Sequence, residues 1–151
     1  MISGVVPNRK QKHLDMKLIP QGPPFVMIDE LMHSNEEETK ARLHIRQGQL
    51  FVENGFFTEP GILEHMAQTA AAGIGHRAAQ HQKAPPVGFI GAIKNWQLIR
   101  LPAIDAEIVT TVKTKHKIGE AHIIIAETHQ DKEMLAQAEF TIFLQKEESG
   151  T

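Results

Sequence analysis

The sequence predicts a single α+β domain in which one long central helix is wrapped by a curved antiparallel sheet of five to six strands. Three observations lead there. Between Pro60 and Pro85 there is no proline, and Ile62, Leu63, Met66, Ala67, Ala70, Ala71, Ala72, Gly73 and Ile74 place apolar or small residues on nearly every side of a helix. A solvent-facing helix would show one apolar stripe and a polar back, so this one is enclosed, and its small residues admit a close neighbour. The segments around it alternate with a period of two, as half-buried strands do. Finally, 151 residues with 41% apolar and 23% charged content suit one substantial core.

In chain order, residues 1–13 read as a flexible arm, 14–146 as the domain and 147–151 as a polar tail. His13 to Ile19 suits a short helix, ended by Pro20 and the turn Gln21–Pro24. Phe25 to His33 reads as a first strand and Ser34 to Glu38 as an acidic surface turn. Lys40 to Gln47 sets Ala41, Leu43 and Ile45 against Arg42, His44 and Arg46, a second, half-buried strand. The helix begins near Thr58, a residue suited to the N-cap. Glu59 lies at the positive end of the helix dipole and Pro60 fits the first turn. It runs to Arg77 and gives way to the polar stretch Gln80–Pro86. Four strands in a meander follow: Val87–Arg100, Glu107–His116, Ala121–His129 and Leu135–Gln145. Gly88 and Gly91 in the first of them suggest a bend or a close backbone approach.

Composition excludes several functions. A net charge of −2, few aromatics and no tyrosine argue against a nucleic-acid partner. No apolar run reaches bilayer length, so no membrane partner is expected. The N-terminus lacks the charged-then-apolar order of a secretory signal and reads as cytoplasmic. Without cysteine there are no disulfides or thiolate sites. The nine histidines show no paired helical spacing around a glutamate, so no metal and no cofactor are expected.

Glu64 and Gln68 interrupt the apolar helix, four residues apart on one face. Such groups are not buried without partners. Glu64 reads either as a general acid or base or as a carboxylate paired at an interface, and Gln68 as the residue that orients it. Asn54 suits orienting a substrate or, equally, a turn before Gly55. His65, about 100° round the helix from Glu64, reads as a surface or interface histidine. Phe89 and Trp96 fill the core or a tunnel wall.

Three segments carry a family resemblance. Leu18, Pro20, Pro24, Phe25 and Asp29 match an L-x-P-x-x-x-P-F-x-x-x-D pattern. Pro60 to Gln68 (PGILEHMAQ) resembles P-G-(four residues)-E-x-M-A-Q with two residues fewer, and Val87–Arg100 is followed by LPAID. Over residues 14–145 the chain resembles the 3-hydroxyacyl-[acyl carrier protein] dehydratases of the hotdog fold. The resemblance implies a homodimer or heterodimer with a related hotdog subunit and an acyl tunnel at the interface. The substrate it implies is a thioester of acyl carrier protein or coenzyme A. In the family a loop histidine takes the C2 proton, and a helix carboxylate of the other subunit helps the hydroxyl leave as water. By position Glu64 matches the carboxylate; Asn54, Gly55, Phe57, Gly61, Gln68 and Phe89 fall where substrate is held or the carboxylate supported. The chain departs from the family at the histidine: its G-H-F-P is replaced by Glu53-Asn54-Gly55-Phe56-Phe57. In this it is similar to divergent dehydratase-like proteins of aryl-polyene and flexirubin-type pathways, some of which contribute structure to an active partner. His44, or a partner's histidine, is then the candidate substitute. A hotdog thioesterase using Glu64 and a non-catalytic, acyl-binding subunit are the alternatives. Arg77, Lys94, Arg100, Lys113 and Lys115 are candidates for a basic patch facing an acidic carrier protein.

Overall fold

The computed structural model describes residues 18–145, so the arm, the tail and most of the expected His13–Ile19 helix lie outside the described residues. Among the described residues there are eight strands and one α-helix. They are β1 (Glu30–Ser34), β2 (Glu38–His44), β3 (Val52–Glu53), β4 (Phe56–Phe57), α1 (Glu59–Gln80), β5 (Gly88–Leu98), β6 (Glu107–Ile118), β7 (Ala121–Gln130) and β8 (Glu133–Leu144). Six of the strands make one sheet in the order β1-β2-β6-β7-β8-β5, and every neighbouring pair in it is antiparallel. The helix covers this sheet. Ile62, Met66 and Ala70 join Leu43, Ile108, Ala126, Ala138 and Phe140 in one buried cluster.

Two expectations need correction. The last four strands are not one meander: β6, β7 and β8 are, whereas β5 pairs with β8 at the far edge. Alternation along a strand records which face is buried but not which strand lies beside it. The first strand also begins late. Phe25–Ile28 stays apart from the sheet because the backbone of Phe25 and Met27 is held elsewhere, whereas Asp29 N–H already bonds the Arg42 carbonyl of β2 at 2.8 Å. Phe25 N–H bonds Gly22 O, and side chains of α1 take the Phe25 and Met27 groups. A small hairpin was not expected at all: β3 and β4 are joined by Asn54 and Gly55, both at positive φ (52° and 83°). That is the geometry of a two-residue loop between strands.

The helix starts where the sequence predicts. Thr58 is the N-cap residue, and its carbonyl accepts Ile62 N–H at 3.1 Å. Its hydroxyl does not cap; it donates to the Phe51 carbonyl at 2.8 Å and ties the hairpin to the helix start. The small residues of α1 are explained by close approach. A Cβ on Gly73 would run into the side chain of Thr39 on β2, and one on Gly75 into the backbone carbonyl of Leu18. Gly→Ala inside an exposed helix stabilises by about 1 kcal/mol. Gly73→Ala should instead destabilise by about 1–3 kcal/mol, because Thr39 is buried and has little room to retreat. Urea unfolding checks the sign, and a gain in stability would rule out the tight Gly73–Thr39 contact.

Candidate functional site

Glu64 and Gln68 stand one turn apart, and Gln68 Nε2 donates to Glu64 Oε1 at 2.9 Å. Gln68 is fully buried, so its amide must find partners inside the protein. It finds them in the irregular stretch before β1. Met27 N–H donates to Gln68 Oε1 at 2.6 Å, and Gln68 Nε2 donates to the Phe25 carbonyl at 2.8 Å. Reversing the amide would set its NH2 against a donor and its oxygen against two acceptors, so one orientation alone fits. Glu64 Oε1 therefore accepts a hydrogen bond, and a proton on this carboxyl sits on Oε2. Oε2 has no hydrogen-bond partner among the described residues.

Glu64 lines an apolar groove with a volume of about 490 Å³. Ala67, Ala71, Ile74 and Gly75 continue the same wall along α1, so the groove follows the helix axis. At ~1.5 Å per residue, the stretch from Glu64 to Gly75 spans roughly 16 Å. Leu18–Gln21, Pro85–Val87, Gly88–Ile90 of β5, and Ile142 and Leu144 of β8 supply the remaining walls. The groove is unroofed on the β5 side, where Val87 is 64% and Phe89 56% exposed. Phe89 also stacks on Phe143, with ring centroids 5.7 Å apart. Because β5 is a sheet edge, its outer hydrogen-bonding groups have no strand beside them among the described residues.

The other expected site residues lie apart from the groove. Asn54 and Gly55 form the hairpin turn, Phe57 is fully buried, and Gly61 packs against the ring of Phe57 and the Cβ of Phe51. His44 Nε2 lies 3.8 Å from Asp105, and His44 is not a groove residue. The candidate basic patch is largely committed elsewhere. Arg77 holds Ser34 and Asn35 in the β1–β2 turn, Arg100 bonds Glu133 twice, and Lys115 bonds Glu139. His65 is neither a surface nor an exposed interface residue but fully buried, with Nδ1 2.7 Å from the Met27 carbonyl. Burial lowers its pKa to about 4, against a weaker opposing pull from the Met27 hydrogen bond and Asp29. Sequence reasoning also missed the wall built by Leu18–Gln21 and Pro85–Val87. The Pro85-Pro86 pair was its one signal, since it marks an extended stretch.

A family model described as ApeP-like, ApeP dehydratase, matches residues 15–150. No curated protein sequence matches the chain. Among solved structures the chain is similar to the dehydratase heterocomplex ApeI:P from Xenorhabdus doucetiae. The identity is 10% and the TM-score 0.79, over 87% of this chain and 90% of that one. It is also similar to a hypothetical thioesterase protein with coenzyme A from Streptococcus pneumoniae TIGR4 (9% identity, TM-score 0.64, 80% of this chain and 88% of that one). A third is Cj0977, a sigma28-regulated virulence protein from Campylobacter jejuni (7% identity, TM-score 0.68, 97% and 94%). At these identities the shared property is the fold, and it is the hotdog fold.

The buried imidazole makes stability depend on pH. The unfolded chain takes up a proton near pH 6.5 that the folded chain refuses until about pH 4. Below the unfolded pKa the unfolded state therefore binds more protons, and stability falls as pH drops through that window. The loss due to His65 is on the order of 3 kcal/mol at about 1.4 kcal/mol per pH unit. Between these pH values the unfolding free energy of the wild type should fall by that amount relative to His65→Leu as pH falls. Parallel curves would show that His65 does not titrate as a buried neutral group.

Proposed function

The chain belongs to the ApeP-like dehydratase family, and from that premise we propose that Glu64 is the carboxylate of a site eliminating water from a 3-hydroxyacyl thioester. The thioester is carried by an acyl carrier protein, the reaction is a cytoplasmic biosynthetic step, and it requires no cofactor. The observation that carries this reading is the placement of Glu64. It is anchored through one oxygen by a fully satisfied amide and lies in an apolar groove that suits an acyl chain.

In the proposed reaction a base removes the C2 proton, and the C–H electron pair becomes the C2–C3 double bond. The C3–O bond breaks, and the hydroxyl takes the proton of Glu64 Oε2 to leave as water. The base then returns the C2 proton to the carboxylate through solvent. No histidine lines the groove among the described residues, and the sequence has Asn54-Gly55 where the family has its histidine. The base therefore comes from a second hotdog subunit, which adds its edge strand to β5 and roofs the groove. With a histidine-bearing partner, Glu64 and the partner's histidine form one complete site. The reciprocal site, built on Asn54 and Gly55, lacks its base. That the similar ApeI:P structure is a heterocomplex supports this arrangement.

A second reading has one observation in its favour. A lone carboxylate in an acyl groove is enough to orient a hydrolytic water, and a hypothetical thioesterase shares the fold. The products separate the two. Mixed with a histidine-bearing hotdog subunit, the chain should convert a 3-hydroxyacyl carrier-protein thioester to the enoyl thioester. Glu64→Gln should slow that step by about 10²–10⁴-fold. Undiminished dehydration by the variant would end the dehydratase reading. Free acid in place of enoyl product would establish the thioesterase one.

A further inference from the structure

We propose that His65 is a positioning residue for Glu64: it holds the Met27 backbone that fixes the Gln68 amide, and through that amide the carboxylate. The inference rests on Glu64 working in the groove. It deepens that reading by naming what sets the carboxylate's orientation.

A carbonyl oxygen only accepts, so the proton of His65 must be on Nδ1, facing Met27. That leaves Nε2 as a bare acceptor, buried and with no hydrogen-bond partner among the described residues. An unsatisfied buried acceptor is destabilising, and a leucine or methionine would occupy the space without it. Packing therefore gives no reason for an imidazole at this position. Holding Met27 does, because no apolar side chain could bond the carbonyl.

The bond matters because of what else Met27 does. Its N–H is the donor that occupies Gln68 Oε1, and its carbonyl is the acceptor for His65. Both peptide groups flanking the Met27 Cα are thus held by side chains of α1, three residues apart on one side of the helix. Phe25 is held too, through its carbonyl, by the same Gln68 amide that bonds Glu64. Release of the Met27 carbonyl would free this stretch to turn. Gln68 would then lose the donor that dictates its orientation, and the amide could present its oxygen to Glu64 instead of its NH2. Glu64 and His65 are adjacent in sequence yet face different surroundings, one the groove and the other the interior. The link between them runs through the backbone of another segment.

The test uses the full chain with a histidine-bearing hotdog partner, and compares wild type with His65→Leu and His65→Asn. The asparagine amide can replace Nδ1–H as the donor to Met27. In His65→Leu the Gln68 side-chain NH2 protons should exchange rapidly with deuterated solvent, whereas in wild type and His65→Asn they stay protected. On a 3-hydroxyacyl thioester, kcat of His65→Leu should fall by about tenfold or more with KM changed less than about twofold, and His65→Asn should recover it. Should His65→Leu not fold, His65→Met takes its place as a more adaptable filler. Unchanged Gln68 protection in the apolar variant overturns the proposal, whatever the activity. So does equal loss of kcat in both variants, which would make His65 important for some reason other than its donor. If wild type turns over no thioester at all, the dehydratase reading fails, while Gln68 protection still decides whether His65 positions the amide.

Discussion

The site depends on the Gln68 amide having a partner for each of its polar faces. A glutamine side chain in the interior is tolerated only when fully bonded, and here an irregular stretch of backbone bonds it. That requirement explains why Phe25–Met27 does not extend β1. Strand pairing would take the same N–H and carbonyl groups that the amide needs. It also explains why the stretch from Leu18 onward lies against the helix, close enough that Gly75 has no room for a Cβ. The wall of the groove, the late start of the first strand and the anchoring of Glu64 thus have one cause.

The groove-lining face of the same helix is governed by a lack of cover. Ala67, Ala71 and Ile74 face a groove, and beside it Val87 and, in β5, Phe89, Ile90 and Ile93 are exposed. An apolar edge strand with free backbone groups is a hazard for a monomer, and nothing in β5 blunts it except Lys94. The register shifts within β5 do not remove the problem, because they lie on its pairing with β8. On the proposed reading a second subunit resolves both deficits at once, by pairing with the edge and by closing the groove. The same subunit supplies the base that Asn54-Gly55 cannot.

Much of this was legible in the sequence, for identifiable reasons. The enclosed helix declared itself because no side of it is polar, and β2, β6, β7 and β8 declared themselves by alternation. Glu64 and Gln68 stood out as polar residues on an apolar face. What was not legible is what depends on distant parts of the chain. β5 sits beside β8 because the helix carries the chain across the sheet, and nothing local in Gly88–Leu98 records that. Phe25–Met27 reads as strand because its residue types suit one, while its partners are helix side chains 38 to 43 positions away. The β3–β4 hairpin is a different kind of miss. Asn54-Gly55 was legible as a turn, but Val52-Glu53 and Phe56-Phe57 are too short to show the alternation that marks a strand.

His65 shows most clearly what a sequence conceals. A histidine on an apolar helix invites assignment to the surface, because burying it neutral costs stability whenever the pH falls. The structure buries it completely and leaves one ring nitrogen without a partner among the described residues. Proteins accept such local deficits chiefly where a site requires them, since an apolar replacement is usually available to selection. Here the deficit is confined to Nε2, and the other nitrogen holds the one carbonyl that, left free, would let Met27 turn away from Gln68. The residue that looks least like part of the site is therefore tied to it by two hydrogen-bonded groups. Its neighbour Glu64, which looks most like a catalyst, owes its orientation to them.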